Sequence, residues 1–160
     1  MATHEVTQQR LKELVSYDPE TGKFAWLQSK RGRRPVSHRR YCQLRIDGRS
    51  YLIHRLAWIY VHGDIPDGME IDHANRDTSD TRMVNLRLAT SSQNNANRII
   101  NPSCKSGLKG AHSAKRGRYC ARLTHKGKVH RLGTFQTAEE AHVAYVIAAQ
   151  KLFGEFARAA

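Results

Sequence analysis

The sequence predicts an α+β fold made of small sheets, and three observations carry that reading. Two stretches read as tight β-hairpins ahead of a helix. A short strand–loop–strand run then leads into a capped helix. The last third of the chain reads as three strands followed by one alanine-rich helix. The first hairpin is VSYDPETGKFAW, where Asp18-Pro19 opens a turn, Gly22 closes it, and Phe24 and Trp26 alternate away from it. It follows a short helix over residues 8–15, with Leu11, Leu14 and Val15 on one side. The second hairpin is YCQLRIDGRSYLI, whose Asp47-Gly48 supplies the positive φ angles of a two-residue turn. A helix is predicted over 54–62, with Leu56, Ala57, Ile59 and Tyr60 as core candidates, and GDIPDG ends it.

Residues 69–73 (MEIDH) and 85–89 (NLRLA) read as short strands on either side of a polar loop. Thr90-Ser91-Ser92-Gln93 has the form of a capping box, so a helix begins at Thr90 and carries Asn94, Asn95 and Asn97. Residues 101–107 read as a linker. Beyond them GLKGAHSAK, GRYCARLTHKG and KVHRLGTF read as strands, and Thr137-Ala138-Glu139-Glu140 is a second capping box. The helix it opens has a core stripe of Ala138, Ala141, Ala144/Tyr145, Ala148 and Leu152. These elements divide the chain into a domain over 1–100, a linker over 101–107 and a domain over 108–160.

Charge narrows the partners. The 160 residues hold 27 Lys and Arg against 14 Asp and Glu, a formal net charge of +13. Such an excess attracts polyanions and disfavours self-association, which points to nucleic acid and to a monomer. No run of apolar residues has the length of a membrane span. The opening MATHEVTQQRLKEL lacks the apolar core of a signal peptide, so the expected location is the cytoplasm. The three cysteines, Cys42, Cys104 and Cys120, form no CxxC pair, which argues against a zinc knuckle and for reduced thiols.

From residue 101 onwards there are eleven Lys/Arg and three acids, and nearly all the basic residues precede the last helix. In RYCARLT, Arg118, Cys120, Arg122 and Thr124 alternate with Tyr119, Ala121 and Leu123, so one face can meet nucleic acid while the other meets the helix. The candidate DNA contacts are Lys109, Arg116, Arg118, Arg122, Lys128 and Arg131. To these the basic loop adds Arg31, Arg33, Arg34 and Arg39.

Chemistry concentrates between residues 69 and 97. Neighbours on a strand point to opposite faces, so Asp72 and His73 can divide two roles. A hard cation takes oxygen ligands, which Asp72 and Asn94 supply, and His73 can accept a proton at neutral pH. Asn85 can cap the loop. His54, opening a helix, can touch phosphate or make a structural hydrogen bond. Asp77 and Asp80 read as turn residues, and Asp80 can pair with Arg82.

The stretch HRLAWIYVHGDIPDGMEIDHANRDTSDTRMVNLRLATSSQNNANR resembles the HNH endonucleases of phages and mobile introns, a likeness extending over about residues 14–100. The resemblance implies a ββα-metal fold that hydrolyses phosphodiester bonds of double-stranded DNA with Mg²⁺ or Mn²⁺. It makes His73 the general base, Asp72 and Asn94 the metal ligands, and Asn85 the brace of the loop. The position of the third motif residue, often His, holds Asn94 here.

SGLKG, RYCARL, LGTFQTAEEAHVAY and LFGEFA resemble an AP2-type DNA-binding domain, which lays a three-stranded sheet in the major groove. One catalytic set per chain implies a strand-nicking, site-selective enzyme. The competing classes are a non-cleaving DNA-binding regulator on the same scaffold and an RNA-directed nuclease.

Overall fold

The computed structural model describes residues 6–27, 34–35, 43–100 and 104–157. These residues form two compact units, Met1–Leu88 and Ala89–Ala160. The division falls after Leu88 rather than in 101–107. The physical reason is packing: Ala89 and Ala96 are buried in one apolar cluster with Leu123, Tyr145, Ala149, Phe153 and Phe156. The capped Asn helix therefore condenses with the C-terminal sheet.

In the first unit, helix α1 (Gln8–Leu14) is capped by Thr7, whose hydroxyl accepts from the Arg10 amide. Strands β1 (Val15–Asp18) and β2 (Lys23–Trp26) form the first hairpin, with Tyr17 opposite Phe24. A two-residue strand β3 (Arg34–Pro35) adds to β2. It lies within the stretch that the sequence predicts as a basic loop. Strands β4 (Gln43–Ile46) and β5 (Arg49–Leu52) form the second hairpin, and both turn residues have positive φ, 46° at Asp47 and 82° at Gly48. Helix α2 (Ile53–His62) starts one residue early and buries Ile53, Leu56, Ala57 and Ile59. These four join Leu11, Val15, Phe24, Leu44 and Ile46 in one core.

Strand β6 (Met69–His73) pairs with β7 (Leu86–Thr90) in a two-stranded sheet. Asn85 is not the first residue of β7, as the pattern predicts. It closes a 3-10 turn, Met83–Asn85, because its side chain is committed to the preceding loop.

In the second unit, α3 (Ser91–Asn97) has the full capping box of Thr90 and Gln93. Strands β8 (Ala111–Ser113), β9 (Tyr119–His125) and β10 (Lys128–Phe135) form an antiparallel sheet with β9 central. Helix α4 (Ala138–Phe153), capped by Thr137 and Glu140, packs against this sheet. Its buried stripe is Ala138, Ala141, Tyr145, Ala149 and Phe153; Leu152 is exposed. The stripe departs from the expected one after Tyr145, since five alanines leave the helical phase open and the large Phe153 decides it. Among the described residues no helix is long and apolar enough to cross a membrane.

Candidate active site

The first unit assembles Asp72, His73, Asn85 and His54 around the end of β6. Three of them are buried polar groups: Asp72 is 5 % exposed, His73 7 % and Asn85 6 %. The loop after β6 is fixed by its own polar side chains. Asn85 does most of this: its Oδ1 accepts from the Asn75 amide at 2.9 Å and its Nδ2 donates to the Asp80 carbonyl at 2.8 Å. Its carbonyl accepts from the Ala74 amide at 2.8 Å. One side chain thus ties both ends of the loop, and truncating it would leave buried partners unpaired.

Asp77 accepts from the Ser79 amide and hydroxyl. Asp80 takes Nε and Nη2 of Arg82 and Nδ2 of Asn75, which holds its carboxyl down at about 2. Both acids act as loop residues. The loop is docked on the first hairpin: the Thr81 hydroxyl donates to the Gly22 carbonyl and the Tyr17 hydroxyl donates to the Thr81 carbonyl. Gly22 has φ +70°, and a Cβ there would stand 2.7 Å from the Arg82 amide nitrogen, so the close approach requires glycine.

Asp72 and His73 diverge as strand neighbours should. Asp72 meets Arg87 on β7: Nε donates to Oδ2 at 2.9 Å, and Nη2 stands 2.9 Å from the same oxygen. Sequence reasoning missed Arg87. The NLRLA alternation sets Arg87 on the face opposite Leu86 and Leu88, and only strand pairing shows which carboxylate it meets. His73 stands beside His54, with ring centroids 4.9 Å apart and planes at 73°. Burial lowers the His73 pKa, while Asp72, Asp77 and Asp80 pull the other way. His54 is pushed down to about 4, first by burial, then by the charges of His73 and Arg55. It is neutral at neutral pH, so any phosphate contact it makes is that of an uncharged imidazole.

This shift has a consequence for stability. The folded-state value lies below the ordinary 6.5, so folding binds fewer protons, and stability present above pH ~6.5 is lost as pH falls towards 4. The share due to His54 is about 3 kcal/mol. Urea unfolding of wild type and His54→Gln from neutral pH to about 4.5 measures it. The gap between the two should shrink on acidification; a constant gap rejects this assignment.

Asn94 belongs to the second unit, half-buried on α3. Among the described residues no group of three His, Cys, Asp or Glu side chains is placed to hold a metal ion. In the first unit the donor is the Asp72 carboxylate, a hard oxygen ligand. Such an oxygen suits a hard cation such as Mg²⁺ or Mn²⁺, which is bound through one or two carboxylates and completes its shell with water and phosphate.

The candidate nucleic-acid contacts separate by position. Arg116, Arg118, Arg122, Lys128 and Arg131 are exposed. Arg122 and Arg131 lie directly opposite in the β9–β10 register and share a face with Thr124 and Val129; Lys128, opposite His125, falls on the other alternation. Arg122 Nη2 lies 3.5 Å from His112 Nδ1. Lys109 is engaged elsewhere. Its ammonium donates to the carbonyls of Ala96 and Arg98, capping the negative end of α3. Arg31, Arg33 and Arg39 lie outside the described residues, as does Cys42, and Arg34 is described only as part of β3.

Comparison with known proteins places the chain in a family. A family model described as HNH endonuclease matches residues 51–96, which include His54, Asp72, His73, Asn85, Arg87 and Asn94. A protein of Acanthamoeba polyphaga mimivirus, described as the uncharacterized HNH endonuclease L560, is 32% identical over 146 residues, covering 89% of this chain and 71% of its own length. The chain belongs to the HNH endonuclease family. Protein 3.8 of Escherichia phage T7 is 34% identical over 107 residues, 66% of this chain and 87% of the phage protein. No solved structure matches. This HNH endonuclease is thus a nuclease with viral relatives, and the matched stretch runs from the end of β5 into α3.

Proposed function

We propose that the protein is a metal-dependent DNA endonuclease in which His73 is the general base. Asp72 and Asn94 would hold Mg²⁺ or Mn²⁺, Asn85 would brace the loop that carries the site, and the C-terminal sheet would grip duplex DNA. The observation that carries this reading is the pair of neighbouring buried residues with separate partners, Asp72 on Arg87 and His73 on His54. His73, held neutral by burial, is in the state that accepts a proton from an attacking water. The metal, when bound, offsets charge on the phosphoryl oxygens and the leaving oxygen. His54 walls His73 on one side and fixes its ring.

The motif residues 72–94 supply the catalytic groups, and the sheet of β8, β9 and β10 with α4 is the AP2-like reader. With a net charge that disfavours self-association and one Asp72/His73/Asn94 set per chain, the enzyme would be a monomer that nicks one strand at an asymmetric, selected site, as phage or homing-type nucleases do. The viral relatives are in keeping with action in a host cytoplasm.

Supercoiled plasmid tests the reading. Chelator should abolish cleavage and Mg²⁺ or Mn²⁺ should restore it. Sustained cutting in chelator rejects the metal mechanism. The same gels report strand number: open circles should appear first and linear product late. Rapid linearisation at low enzyme concentration would show that two sites act together.

A further inference from the structure

We propose that Arg87 sets the order of assembly at this site: it keeps the Asp72 carboxylate neutralised, so that a divalent cation is retained only together with a DNA phosphate. The inference rests on the reading of Asp72 as a metal ligand and adds to it a residue and a sequence of binding events.

The contact is close and shielded. Both Nε and Nη2 of Arg87 stand 2.9 Å from Asp72 Oδ2, and the side chains are only 19% and 6% exposed. A guanidinium cannot lose its proton in a protein, so the positive charge is permanent. Burial keeps salt from screening the pair. The formal charge of Asp72 with Arg87 is zero, and the second ligand, Asn94, is neutral. The loop acids do not make up the difference, because Asp80 is taken by Arg82 and Asn75, and Asp77 is turned onto Ser79.

The protein therefore offers a dication oxygen atoms without net negative charge. Mg²⁺ gives up its water shell reluctantly, and a site of that kind holds it weakly. A phosphate brings the missing charge, and the coupling is reciprocal: DNA tightens metal binding and metal tightens DNA binding by the same factor.

The test titrates Mn²⁺ and reads the free ion by electron paramagnetic resonance, in a His73→Ala background that leaves the DNA uncut. Protein alone is compared with protein plus a short random duplex, and Asp72→Asn in each mixture subtracts ions held elsewhere. The Asp72-dependent site should be at least ~10-fold tighter with DNA. Without DNA, Arg87→Gln, which keeps a donor for Asp72 and loses the charge, should bind Mn²⁺ at least ~10-fold more tightly, while Arg87→Lys should stay near wild type. Should Arg87→Gln fail to fold, judged by its thermal unfolding, Arg87→Met takes its place. Unchanged or weaker binding in the charge-loss variant overturns the role of Arg87, as does an affinity indifferent to DNA. Mn²⁺ binding that never depends on Asp72 instead overturns the ligand assignment beneath it.

Discussion

Replacing His73 by alanine is expected to slow strand cleavage by about 10²–10⁴-fold while leaving DNA affinity nearly unchanged. The residue is buried at the end of β6, against the His54 ring. It is therefore no part of an exposed basic surface, and the proposed role in proton transfer predicts an effect on rate rather than on affinity. Its lowered pKa gives the sign of the pH dependence: the neutral base persists below the ordinary histidine range, so the rate holds through neutrality and falls only on the acid side of about pH 6.5. Single-turnover cleavage against binding to labelled duplex separates the two quantities. Wild-type cleavage rates in His73→Ala would remove His73 from the chemistry. A parallel loss of affinity would instead make it a binding residue.

Much of the fold is legible in the sequence because its signals are local. Asp47-Gly48, the Thr90/Gln93 and Thr137/Glu140 capping boxes, and the Asp72-His73 alternation each depend on residues within a few positions of one another. What escapes depends on register or on tertiary packing. Arg87 is invisible as a partner of Asp72 because fifteen residues separate them and only the β6–β7 pairing joins them. Lys109 reads as one more surface cation, since nothing local shows that α3 ends beside it with open carbonyls. Asn85 reads as the start of a strand because LRLA follows it. Its commitment to Asn75 and Asp80 overrides that pattern and bends 83–85 into a 3-10 turn. The phase of α4 is ambiguous for a different reason: small alanines fit either stripe, and the bulk of Tyr145 and Phe153 settles which one faces the sheet.

Neutralising the sheet face should weaken DNA binding and flatten its salt dependence. Arg122 and Arg131 are exposed and directly opposite on β9 and β10, an arrangement in which like charges destabilise a sheet. Arg118 continues the same alternation one step before β9, and no carboxylate lies on β8, β9 or β10 to relieve the repulsion. A polyanion lying across the face would convert that repulsion into attraction. Each phosphate neutralised contributes about 0.9 to the slope of log affinity against log salt. The triple variant Arg118→Gln/Arg122→Gln/Arg131→Gln should therefore lose about 3 in slope, with the largest affinity loss at low salt. Lys151→Gln, on the exposed side of α4, removes a charge away from the sheet and should change the slope little. Removing the repulsion should also leave the triple variant at least as stable to urea as wild type. A slope unmoved by the three substitutions, in a protein that still binds duplex, would place the grip on another surface.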